Sequence, residues 1–150
     1  MPTPINPHDH IAIQNTLSRY CEALDTKDWL LLSKVFVTDV DADYPFNRSL
    51  KGVENVAKAI QGRLTTQTII FKEDGSAQAT TYFIGCHFGQ GTHEGKVLQA
   101  YGRYVDELVV QEAAAGDYEG VQGASGVWRI RKRTVGFTAR IGDENIMKEF

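Results

Sequence analysis

Along the first sixty or so residues the apolar positions recur every three or four residues, and beyond Thr66 they recur every second residue. The first regime predicts helices. Ile13, Leu17, Tyr20, Cys21 and Leu24 define one apolar face over residues 9–26, with Asp9 placed to cap its start. A second helix is predicted over 28–37, capped by Asp28, where Trp29, Leu32 and Phe36 share a face and Leu31 and Val35 flank it. Val40 to Phe46 alternates loosely and stops at Pro45, which predicts a short strand, and residues 47–52 read as a turn. Val53, Val56, Ile60 and Leu64 then space out as an amphipathic helix over 52–64.

The second regime predicts a sheet. Residues 68–71 (TIIF) and 77–88 flank a turn, EDGS, and form a hairpin; longer strands follow over 97–110 and 127–139. Between the last two lies a stretch of 15 residues, EAAAGDYEGVQGASG, expected to be a long mobile loop. Helices first and strands after predict an α+β domain, with the helices on one side of a curved antiparallel sheet. The strands from Val97 and Val127 carry apolar residues on both alternations, among them Val105, Leu108, Val127 and Ile130, so the uncovered face is expected to pair two copies in a homodimer.

Composition narrows the function classes. The 150 residues suit one domain, with residues 1–8 as a loose N-terminal arm; no apolar stretch reaches membrane-span length, and no secretory signal opens the chain. A cytoplasmic location is the expectation. A formal net charge of -3 provides no long-range attraction for nucleic acid or an anionic membrane, and the local basic run RIRKR at 129–133 reads as a solvated face. Cys21 and Cys86 are too far apart in sequence to suggest a disulfide framework or a metal set, and neither His93 nor the pair His8 and His10 has metal-ligand spacing.

YCEALDTKDW (20–29), LSKVFVTDVDADY (32–44), TTYFIGCHFG (80–89), YGRYVDELV (101–109) and GVWRIRKR (126–133) together resemble the SnoaL-like and scytalone-dehydratase-like branch of the NTF2-like superfamily. That resemblance implies a cone: three N-terminal helices packed on a strongly curved antiparallel sheet that encloses a pocket. It also implies a cofactor-independent dehydratase, cyclase or double-bond isomerase acting on a polycyclic, polyketide-like intermediate, or a non-catalytic binding or accessory subunit of the same fold. Asp25, Tyr44 and His87 fall where the dehydratase relatives carry a supporting aspartate, a tyrosine that holds substrate or its water, and a sheet histidine. Those relatives carry a further histidine where this chain has Thr68, so a mechanism built on a histidine pair does not transfer.

Each candidate has two readings. His87 lies in an apolar strand on the face of Phe83 and Thr81; it is either a general acid or base or a satisfied core histidine. Asp25 either orients that imidazole, or acts as the base, or caps the helix junction. Tyr20 and Tyr44 either donate to a developing oxyanion or pack the core. Tyr101 and Arg103 share one alternation of their strand and, if that face is concave, bind substrate with Tyr20 and Phe83. Cys86 and His87 are neighbours on a strand and point to opposite faces, so they form no dyad.

Overall fold

The computed structural model describes residues 4–43 and 60–149. One helix, α1 (Pro7–Thr26), is followed by a short 3-10 turn (Leu30–Lys34) and five strands: β1 (Phe36–Asp43), β2 (Ile60–Phe71), β3 (Ala77–Phe88), β4 (Val97–Gln111) and β5 (Val127–Gly142). The strands form a single sheet in the order β1-β5-β4-β3-β2. Pairings are antiparallel from β2 through β5, and β1 joins β5 in parallel, so the sheet is mixed at one edge. Bulges interrupt β2 between Leu64 and Gln67 and the β4–β5 ladder at Tyr101/Gly102 and Glu107/Leu108. Each bulge bends its strand and adds twist.

α1 ends at Thr26 as its periodicity predicts, but its cap is Asn6, whose side chain accepts from the His8 N–H at 3.0 Å, with Pro7 in the first turn. Asp9, expected to be the cap, is buried in that first turn instead, and its two carboxylate oxygens accept from the Ser125 N–H at 2.7 Å and the Ser125 hydroxyl at 2.6 Å. The helix start is thereby tied to a loop 116 residues away. At the other end Lys27 takes a left-handed backbone (φ 58°) and returns its N–H to Ala23 and Leu24.

The predicted second helix is only the five-residue 3-10 turn: Asp28 does accept from Leu31 N–H at 3.2 Å, but Phe36 already belongs to β1. Most of the predicted third helix, the turn at 47–52 and Tyr44 lie outside the described residues. Its last turn does not form, because residues 60–64 pair with β3 in β2. The helix count of three is thus corrected, within the described residues ahead of β2, to one α-helix and one 3-10 turn; further short 3-10 turns lie at Gly91–His93, Ala114–Gly116 and Glu144–Glu149.

The core lies between α1 and the sheet. Ile13, Leu17, Tyr20 and Leu24 are buried against Ala79, Phe83, Ala100, Tyr104, Leu108 and Ile130; Cys21 is half-buried beside them. Gly102 is required for close approach, since a Cβ there would fall 2.2 Å from the Gly136 carbonyl oxygen and 3.0 Å from the Phe83 ring. The loop over 112–126 is anchored, contrary to the mobile loop expected. Val121 and Ala124 join the core, and Glu119 takes Arg129 through two nitrogens and Arg19 at 3.3 Å.

Candidate functional site

The inner face of the sheet is set by strict alternation. On β3, Ala77, Ala79, Thr81, Phe83, Gly85 and His87 are buried in turn, and on β4 so are Leu98, Ala100, Gly102, Tyr104, Asp106 and Leu108. His87 is at the far end of β3 from the β2–β3 turn, opposite Leu98 on one side and Ile60 on the other. It is 4% exposed. Burial lowers its pKa from 6.5 to about 4, because an imidazolium loses its hydration there. At neutral pH the ring is therefore neutral: it can accept a proton or a hydrogen bond and carries no spare proton to act as an acid.

Farther along the same face lies a group that the sequence did not single out. Arg133 donates through Nε to Asp106 Oδ1 at 2.7 Å and through Nη2 to Oδ2 at 2.9 Å, and both side chains are almost wholly withdrawn from water. The guanidinium lies 4.3 Å from the Tyr20 ring centroid and 4.0 Å from that of Tyr104, with Phe36 at 5.4 Å. Burial pushes the Asp106 carboxyl above its ordinary range, and the Arg133 charge and hydrogen bonds pull against that rise. Phe83 stacks on Tyr104 with centroids 4.3 Å apart, Tyr20 meets Tyr104 edge-on at 5.7 Å, and Phe137 meets Phe83 at 6.4 Å. The result is an aromatic wall around a fixed cation, leading along β3 by way of Gly85 to a neutral histidine.

Of the residues proposed from sequence, Tyr20 and Phe83 come together here, both against Tyr104. His87 shares their sheet face, four residues beyond Phe83. Asp25 is exposed in the last turn of α1, about 100° round the helix from buried Leu24. Tyr101 and Arg103 pair across the ladder with Ile84 and Tyr82, on the outer face; Arg103 is exposed and Tyr101 half-buried. The concave face of β4 is the other alternation. Thr68 is likewise exposed and outward, while half-buried Gln67 sits opposite buried Thr81. The basic run is not a solvated face: Arg129 and Arg133 are buried in ion pairs, and only Arg131 and Lys132 face water. Among the described residues no group of three or more His, Cys, Asp and Glu side chains could hold a metal ion. No helix among the described residues is long and apolar enough to cross a membrane.

The SnoaL-like domain model matches residues 8–134. No curated protein matches the chain in sequence. Among solved structures, a protein assigned as an aromatic ring hydroxylase from Novosphingobium aromaticivorans is 21% identical, with a TM-score of 0.68, and the alignment covers 97% of this chain and 99% of that one. A protein assigned as a scytalone dehydratase from the same organism is 18% identical, with a TM-score of 0.66 over 91% of this chain and 88% of its own. A type 2 hexachlorocyclohexane dehydrochlorinase, LinA, is 12% identical, with a TM-score of 0.68 over 90% and 88%. At these identities the structural likenesses establish the fold, which is the NTF2-like α+β fold.

Proposed function

The chain belongs to the SnoaL-like domain family, and from that premise we propose that it is a cofactor-independent enzyme that moves protons on a carbonyl-bearing, polycyclic, polyketide-like substrate, as an isomerase, cyclase or dehydratase. The observation that carries this is His87: an imidazole buried on the concave face, on the same alternation of β3 as Phe83. The His87 imidazole or the Asp25 carboxylate at the end of α1 takes the acidic proton next to a substrate carbonyl and later returns it to the rearranged product. The resulting enolate oxygen is held by a phenol, Tyr44 or Tyr20, in a site with little water. Tyr101 and Arg103, on the outer face, have no part in this chemistry.

Exchange tests the proposal independently of the final product. Wild-type protein should wash deuterium from solvent into the acidic C–H positions of 2-tetralone faster than buffer does. His87→Gln and Asp25→Asn should each lower that rate by about 10²-fold, and the double variant little further, because members of one unit are not additive. Full rates in both folded variants would rule the pair out. The second reading, a non-catalytic binding or accessory subunit, draws on how deeply His87 is buried. It predicts tight binding of aromatic ketones with no exchange.

The same proposal includes a cytoplasmic homodimer formed through the outer sheet face. Ile70, Tyr82, Ile84, Phe88 and Val97 are exposed large hydrophobics there. Light scattering should report twice the mass of one chain at micromolar concentration, and Ile84→Glu should halve it.

A further inference from the structure

A cleft of about 520 Å³ opens where α1 begins, between the N-terminal arm, the turn joining β2 to β3, the end of β4 and the segment entering β5. It is separate from the site described above. His87 lies at the other end of β3 from that turn, and Asp25 lies at the other end of α1, roughly 30 Å away along a helix of this length. The volume is that of an ordinary small-molecule site.

The chemistry of the walls restricts the occupant. Ile5, Phe71, Val110 and Trp128 supply the apolar surface; Ile5 and Val110 are left 61% and 37% exposed, while Phe71 meets Trp128 edge-on at 6.1 Å. Trp128 is 2% exposed, and its indole Nε1 meets no hydrogen-bond partner among the described residues. A donor buried beside a cleft without a partner is matched by an acceptor oxygen brought by a ligand. Charge at the cleft disfavours an anion: Asp9 and Glu73 stand against a single ammonium, Lys72. A cationic ligand gains little from Asp9, whose two oxygens already hold Ser125. We propose that the cleft is a second small-molecule site, for an uncharged ligand with a flat apolar body and one carbonyl oxygen.

The chain has two tryptophans, Trp29 and Trp128, so its indole N–H signals in a ¹H–¹⁵N spectrum are two, assigned by Trp29→Phe. Titration of the full chain with 4-methylacetophenone should move the Trp128 signal saturably and leave that of Trp29 in place. Val110→Glu and Ile5→Glu, at exposed wall positions that the rest of the spectrum will show to be folded, should each weaken binding by about tenfold or more. 4-Methylbenzoate should bind more weakly than the ketone. A Trp128 signal that stays put to the solubility limit of the probe, or a shift that survives in both wall variants, would overturn the site. Equal binding of the benzoate would overturn the assignment of an uncharged ligand.

Discussion

His87 and the Asp106–Arg133 pair occupy one face of one sheet, both withdrawn from water, and they meet the cost of burial in different ways. At the His87 end the ring has shed its charge, with a pKa of about 4. At the other end burial likewise presses the Asp106 carboxyl toward its neutral form, and the Arg133 charge and two hydrogen bonds pull against that pressure, with two aromatic rings flanking the guanidinium. The lesson is that an interior tolerates polarity either as a neutral ring or as a matched pair. The pair is a fixed pole, since Arg133 holds its charge at any working pH.

Breaking the pair should give the largest effect. Arg133→Met leaves Asp106 buried without its cation and should cost about 3–5 kcal/mol in urea unfolding at pH 7, whereas Asp106→Leu combined with Arg133→Met should recover most of that loss. The sign of the pH dependence is also set. With Arg133 gone nothing offsets the desolvation that raises the Asp106 pKa, so the folded state prefers the protonated acid and the variant should lose stability as pH rises above the ordinary aspartate range. A double variant as unstable as the single one would show that the pair is held by its surroundings and not by its charges.

The histidine end should respond in the opposite direction and less strongly. Its folded pKa lies below the unfolded value, so the neutral ring contributes stability that is whole above pH 6.5 and is lost as pH falls toward about 4. Unfolding free energies across that window should show up to about 3 kcal/mol of acid loss that is absent from His87→Leu. Taking the difference between the two proteins removes the contribution of Asp106, which runs the other way. Parallel profiles would mean that the ring is not desolvated.

The smallest effect should come from the outer face. Arg103→Ala removes an exposed side chain on the far side of β4 and should change stability by no more than about 0.5 kcal/mol and leave 2-tetralone exchange unaltered. A large loss of exchange in that variant would return Arg103 to the site.

Periodicity alone determined that α1 ends at Thr26, that β3 and β4 are long strands, that Ile13, Leu17, Tyr20 and Leu24 face inward, and that a helix precedes a sheet antiparallel from β2 through β5. The choice of inner face on β4 was also legible. One alternation, from Leu98 to Leu108, has a single polar member, Asp106, while the other, from Val97 to Glu107, has Gln99, Arg103 and Glu107. Placing Tyr101 and Arg103 on the concave side ran against that count. Asp28 does accept from the Leu31 N–H, though the turn's cap position is Trp29, and such a local bond does not decide length: pairing of β1 with β5 claims Phe36 and stops the second helix after one 3-10 turn. Arg133 was not legible by any local rule. Counted by twos from Trp128 and Ile130 it belongs outside with its basic neighbours, and only the bulge opposite Glu107/Leu108 shifts the phase and turns it inward onto Asp106. A bulge is a property of how two strands share a ladder, and its energy comes from the partner strand and the packed face. Tertiary structure alone therefore decided that Arg133 would be buried against Asp106.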